Sequence, residues 1–135
     1  LGMDRGWDIL TLSVGTQVED AQLQQVTGEA LDWGIIILTA IECGAPKPGF
    51  PAAYPGVISV DYDVFNHPLA FRAGDGKTAD IVAHGVYVEA LNSSGKMENH
   101  TGSSFACPHV TALAARARQF FPQMTPDEFL REIRL

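Results

Sequence analysis

The chain has 135 residues, 46% of them hydrophobic, and a formal net charge of -7. That length suits one domain, the apolar share supports a packed core, and the acidic balance argues against a nucleic-acid partner, which selects a basic face. The longest apolar run, Gly34 to Ile41, has strand length, so no segment reads as a membrane span.

Asp8 to Val14, DILTLSV, is rich in β-formers and stops at Gly15, which predicts a strand and then a turn. From Asp20 to Trp33 the residues Leu23, Val26, Ala30 and Trp33 recur three or four apart, predicting an amphipathic helix that Gly34 closes. Ile35 to Ile41 is apolar on both faces, the pattern of a strand buried between two layers. Strand, helix and buried strand make a right-handed βαβ unit and therefore a parallel sheet. A Gly- and Pro-rich loop, Cys43 to Pro55, leads to another strand at Gly56 to Tyr62. Thr78 to Gly85 reads as a short strand and turn that Val86 to Leu91 extends. Val110, Leu113, Ala114, Ala117, Phe120 and Phe121 keep helical spacing, and Thr125-Pro126-Asp127-Glu128 is a capping box opening a terminal helix. The order of elements is α/β, in one domain or part of one.

The chain begins at Leu1 rather than Met, as a cut or processed piece does, so secreted and cytoplasmic locations both remain compatible with it. Cys43 and Cys107 have no metal-ligand spacing and fit either free thiols or one disulfide. Asn92-Ser93-Ser94 and Asn99-His100-Thr101 match the short acceptor pattern for N-glycosylation.

The most informative stretch is His100 to Phe121, HTGSSFACPHVTALAARARQFF. Serine is a good helix cap, and a Gly-Ser-Ser ahead of a helix often does no more than that. It is also a nucleophile when a base stands beside it and donors await the developing oxyanion, and a helix start supplies free N–H groups and a positive dipole end. Gly102 and Ser103 would let the backbone approach a substrate closely, and Ala106 keeps the first turn slim. Cys107, one helical turn beyond Ser104, should face the core.

GSSFACPHV, Gly102 to Val110, resembles the nucleophile segment of the subtilisin-like serine peptidases, the subtilases, whose motif runs Gly-Thr-Ser-Met-Ala-x-Pro-His-Val. DILTLSVG resembles the family strand whose edge binds substrate backbone, GIIILTAI the buried strand leading to the specificity pocket, FPAAYPGVISVDY the stretch that begins Tyr-Pro, and DIVAHGV the Asp-x-x-Ala-Pro-Gly segment with His84 at the proline. All five landmarks keep the family order. The resemblance implies a subtilisin-like mostly parallel sheet with helices on both faces, incomplete on its N-terminal side, with residues 1–135 forming the C-terminal part of the catalytic domain. It assigns the nucleophile to Ser104, substrate contacts to Ser13, Val14, Gly15, Ala40, Ile41 and Glu42, and a peptide or protein as substrate. Calcium is a family ligand, although no acidic cluster in this sequence marks a site.

Two departures qualify the activity it implies. The family acid and base precede the substrate-binding strand, so the triad His and Asp would belong upstream of Leu1 or to a complementing chain. Of the local histidines, His109 is a structural family position, His84 and His67 lie in turns, and His100 is the nearest in sequence to Ser104. The family's oxyanion-hole asparagine is also replaced: Cys43 stands at its position with Glu42 at the preceding glycine, where its side chain would crowd the pocket wall or make it prefer basic groups. With the alignment shifted by one residue, Glu42 takes the asparagine's place and could donate only if protonated. A thiol is a weak donor. The 135 residues alone are expected to be inactive. The sequence thus supports a serine endopeptidase domain completed from elsewhere or a catalytically deficient module that binds peptides or a partner chain.

Overall fold

The computed structural model describes residues 3–41 and 48–134. A 3-10 turn, Met3–Arg5, precedes strand β1 (Ile9–Leu12), helix α1 (Ala21–Asp32) and strand β2 (Ile36–Ala40). Strands β3 (Ile58–Asp63), β4 (Phe71–Ala73) and β5 (Ile81–His84) follow. Then come a hairpin of β6 (Val88–Leu91) and β7 (Met97–His100), helix α2 (Ser103–Phe120) and helix α3 (Pro126–Ile133).

The main sheet has the order β1-β2-β3-β5-β4. β1, β2, β3 and β5 run parallel, and β4 closes one edge antiparallel to β5. The parallel sheet and the βαβ unit expected from the sequence are both present.

Alternation along β2 explains why that segment is apolar throughout. Ile36 and Leu38 pack with Ile58, Val60 and Ile81 against Ala106, Cys107, Val110 and Ala114 of α2 and Phe129 of α3. Ile35 and Ile37 turn to the opposite face, where they meet Ala30 of α1, Tyr54 and Val57, with Leu23 and Leu31 packed alongside. Ile36, Leu38 and Ile58 are each 0% exposed, and removing one such side chain from water contributes about 1.5–3 kcal/mol. Helices thus cover both faces of the sheet.

The helix predicted over Asp20 to Trp33 forms, with the Asp20 carboxylate accepting from Leu23 N at 2.7 Å as its N-cap. Its buried stripe differs from the predicted one. Thr27 and Ala30, flanked by Leu23 and Leu31, face the sheet, whereas Val26 and Trp33 are exposed. Thr27 reads as polar, but its hydroxyl donates to Leu23 O at 2.7 Å, which lets the side chain enter the core with its polar group satisfied. Phe120 and Phe121 continue the apolar spacing of α2 yet are exposed.

Val86 to Leu91 does not extend β5. The chain leaves the main sheet through a bend at Tyr87, a residue with φ of 54°, and β6 pairs antiparallel with β7 in a separate sheet. Asn92 pins the tip of that hairpin by accepting from Ser94 N and Lys96 N, both at 2.9 Å. Neither β4 nor β7 has a clear signal in the sequence, since Phe71–Ala73 and Met97–His100 are short and carry little β-branched or aromatic periodicity.

α3 begins as its sequence predicts. Thr125 Oγ1 accepts from Glu128 N at 3.2 Å and Glu128 Oε2 accepts from Thr125 N at 2.8 Å, a complete capping box. Asp80 ties the helix end to the sheet: its carboxylate takes Ser59 N and Oγ on one oxygen and Arg134 on the other, the last at 2.9 Å.

Candidate active site

Ser104 lies at the second position of α2, at the end of the molecule where the parallel strands finish. The helix N-cap is Gly102, which makes no side-chain capping bond. The cap reading of Ser104 therefore fails; its hydroxyl is not used to start the helix. Gly102 has φ of 154°, and a side chain there would place its Cβ 3.6 Å from the Ser104 hydroxyl. Gly102 N donates to Gly85 O at 2.9 Å, setting the turn directly on the end of β5. Phe105 N and Ala106 N both donate to Gly102 O, at 3.0 and 3.3 Å. Those two N–H groups are used by the helix itself, and the positive end of the helix dipole lies at the Ser104 residue.

A cleft of about 560 Å³ opens beside it. One wall is Ser13, Val14, Gly15, Thr16 and Gln17, the other Ala40, Ile41 and Ala52, and the helix start supplies Thr101 to Ser104. Thr16 and Phe50 form an antiparallel bridge, N to O at 3.0 and 2.7 Å, that joins the walls. Gly49 sits against this bridge so closely that a Cβ would lie 2.7 Å from Thr16 O. Val14 is 68% exposed, and its carbonyl accepts from Thr39 Oγ1 at 3.5 Å.

Of the substrate contacts implied by the sequence, Ser13, Val14, Gly15, Ala40 and Ile41 converge on this one cleft with Ser104. Glu42 and Cys43 lie outside the described residues. Thr16, Gln17, Gly49, Phe50, Ala52 and Thr101 also line it, and the motifs did not single them out. A Gly-Phe-Pro run inside a predicted loop gives no sign that its backbone returns to pair with Thr16.

Two hydroxyl groups hold the helix start to the walls. Ser103, 6% exposed, donates from Oγ to Ile41 O at 2.5 Å. Ser13 Oγ donates to Ser104 O at 3.1 Å.

Three of the four imidazoles are hydrogen-bonded elsewhere, and His100 Nε2 is buried without a hydrogen-bond partner. His84, at the end of β5 rather than in a turn, accepts from Phe65 N at Nδ1, and His109 Nδ1 is 2.9 Å from His84 O. His67 accepts from Leu69 N in an exposed turn. His100 stacks on Phe105 with ring centroids 4.7 Å apart. Among the described residues no histidine is hydrogen-bonded to the Ser104 hydroxyl.

Cys107 is a free thiol, 0% exposed beneath the helix start. Burial pushes its pKa up to about 11, against hydrogen bonds from Thr11 and Thr111 that act the other way. Among the described residues no three His, Cys, Asp or Glu side chains converge, so those side chains offer calcium no built set of ligands.

The sequence profile of the Subtilase family matches residues 3–134. The chain belongs to the subtilase family. Over 120 residues it is 31% identical to alkaline elastase YaB of Bacillus sp. (strain YaB) and 30% identical to subtilisin Savinase of Lederbergia lenta. These alignments cover 88% of this chain but 32% and 45% of the relatives. Among solved structures the subtilase fold recurs in Sphericase, with a TM-score of 0.76 at 22% identity over 97% of this chain and 49% of that one. It recurs also in an S41 psychrophilic protease, with a TM-score of 0.72 at 23% identity over 92% of this chain and 47% of that one. The chain thus spans about a third to a half of the length of these subtilases.

Proposed function

We propose that this chain is the substrate-binding and nucleophile-bearing part of a subtilisin-like serine endopeptidase, with Ser104 as nucleophile. The observation that carries the reading is the convergence of Ser104, on the first turn of α2, with an open cleft walled by Ser13–Gly15 and Ala40–Ile41. A peptide would add as a strand along Val14 and place a side chain in the cleft, with its carbonyl carbon facing Ser104 Oγ. A base takes the hydroxyl proton as Oγ attacks; the acyl-enzyme forms, the leaving amine receives that proton, and water then releases the acid.

None of the four local imidazoles is hydrogen-bonded to Ser104 Oγ, so His and Asp are taken to come from polypeptide upstream of Leu1 or from a complementing chain. The oxyanion would be served by the backbone N–H of Ser104 at the start of α2, since the N–H groups of Phe105 and Ala106 donate to Gly102 O. With cysteine where the family has asparagine, turnover should be slow: in subtilisin itself, loss of that side-chain donor costs about 10² to 10³ in rate.

The test is labelling with a fluorophosphonate, for the natural protein that carries these residues and for its Ser104→Ala variant. Labelling that requires Ser104 supports the reading. Labelling that persists in Ser104→Ala, or its absence from the unsubstituted protein, overturns it and leaves a peptide-binding module on the subtilase fold.

A further inference from the structure

α2 contains a proline, Pro108, inside its second turn. In an unbroken helix the N–H four residues on would donate to the carbonyl of Ser104, and that position is Pro108, which has no N–H. The carbonyl of the proposed nucleophile is therefore left out of the helical ladder by the sequence itself. Ser13, from the opposite wall of the cleft, donates its hydroxyl to that same oxygen at 3.1 Å. On its other side, Ser103 is held to Ile41 O, so the backbone around Ser104 is tied to both walls that a substrate would occupy.

We infer that Ser13, beyond offering its backbone to a substrate, is a positioning residue for Ser104: its hydroxyl replaces the helical N–H that Pro108 removes. The inference rests on the reading of Ser104 as nucleophile. A bond from the hydroxyl of the substrate-binding segment to the nucleophile's own carbonyl fixes the first turn of α2 relative to the bound peptide. Pro108 gives that bond its importance, because the helix itself offers the carbonyl no N–H at the usual spacing. The pair is a sequence device, a proline four residues after the serine and a hydroxyl just past β1, that no composition or periodicity would reveal.

The test is a double-substitution cycle in the natural protein that carries these residues, read by fluorophosphonate labelling rate and by kcat and KM on a peptide substrate. Ser13→Ala should lower kcat and the labelling rate about tenfold, the worth of one hydrogen bond of ordinary strength, with KM held within about twofold. Ser13→Thr, which keeps the hydroxyl, should recover most of the loss, and Ser13→Val, of the same shape as threonine without it, should not. In a Pro108→Ala background, where an N–H is available to Ser104 O, the cost of Ser13→Ala should fall below about threefold. Full cost in that background, a Ser13→Val variant as active as Ser13→Thr, or a loss confined to KM would each overturn the inference. If Ser104→Ala still labels, the nucleophile reading itself fails, and that result is distinct from all of these.

Discussion

Replacing Gly85 by alanine tests whether the helix start is seated as tightly as the structure shows. A Cβ at this position would lie 2.6 Å from Tyr62 Cβ, 2.7 Å from Gly102 O and 3.1 Å from Ala106 Cβ. Non-bonded carbons rest at about 3.5–4.0 Å, so the methyl overlaps its neighbours by roughly 1 Å. Two of the three atoms belong to the turn that carries Ser104, and the third is fixed in β3. Overpacking of this kind costs about 1–3 kcal/mol, which for a domain of this size corresponds to a fall in Tm of about 4–12 °C. The turn, rather than the sheet, should yield, and a displacement near 1 Å at a reacting atom costs about 10² in rate. The assay pairs a thermal melt with fluorophosphonate labelling of the folded natural protein. The expected result is a modest loss of Tm with a labelling rate lower by about two orders of magnitude. Wild-type Tm and labelling in Gly85→Ala would refute the close seating of Gly102 on β5, and equal losses on both scales would refute the claim that the turn is what moves.

Three further outcomes follow from groups outside the cleft. Thr125→Ala removes the Oγ1 acceptor of the α3 capping box and should cost about 1 kcal/mol, seen as a lower urea midpoint; an unchanged midpoint would show that Phe129 alone holds the helix. Asp75 Oδ1 accepts from the backbone N–H groups of Thr78, Lys77 and Ala79, which holds its pKa at about 2 rather than 3.8. A carboxylate with a depressed folded pKa stabilises above its unfolded pKa, and that stability is lost as pH falls through the folded value. The gap in stability between the wild type and Asp75→Asn should therefore be steady above about pH 4 and shrink toward pH 2, and a gap independent of pH would contradict the assignment. Cys107, buried with its pKa raised to about 11, should resist maleimide at about pH 8 until the protein is unfolded; mass-spectrometric mapping of modified native Cys107 would mean that α2 leaves the sheet readily.

The parts of the fold that could be read in advance are those where the chain repeats a physical demand several times over. β2 is apolar at successive positions because two helical layers cover it, and Thr125-Pro126-Asp127-Glu128 carries its whole cap in four residues. β4 and the β6–β7 hairpin could not be read, because each is short and carries little strand periodicity, and the hairpin's course is set by a bend at Tyr87 and a turn at Asn92. The exposure of Trp33 shows the same limit. Spacing identified a helix but not which of two candidate stripes met the sheet, and a satisfied Thr27 took the place expected for Val26. At the cleft, Ser104 and the Ser13–Gly15 edge were legible from motif order. The Phe50 wall was not, because backbone bridging between Thr16 and Phe50 leaves no trace in side-chain pattern.

Among the described residues β1 is the last strand on its side of the sheet and pairs only with β2, so its outer row of backbone groups is open to another strand. Two copies meeting there about a two-fold axis normal to the sheet would set their β1 strands antiparallel. The strand direction would then reverse at the seam, and the two Ser104 residues would face opposite ends of the joined sheet.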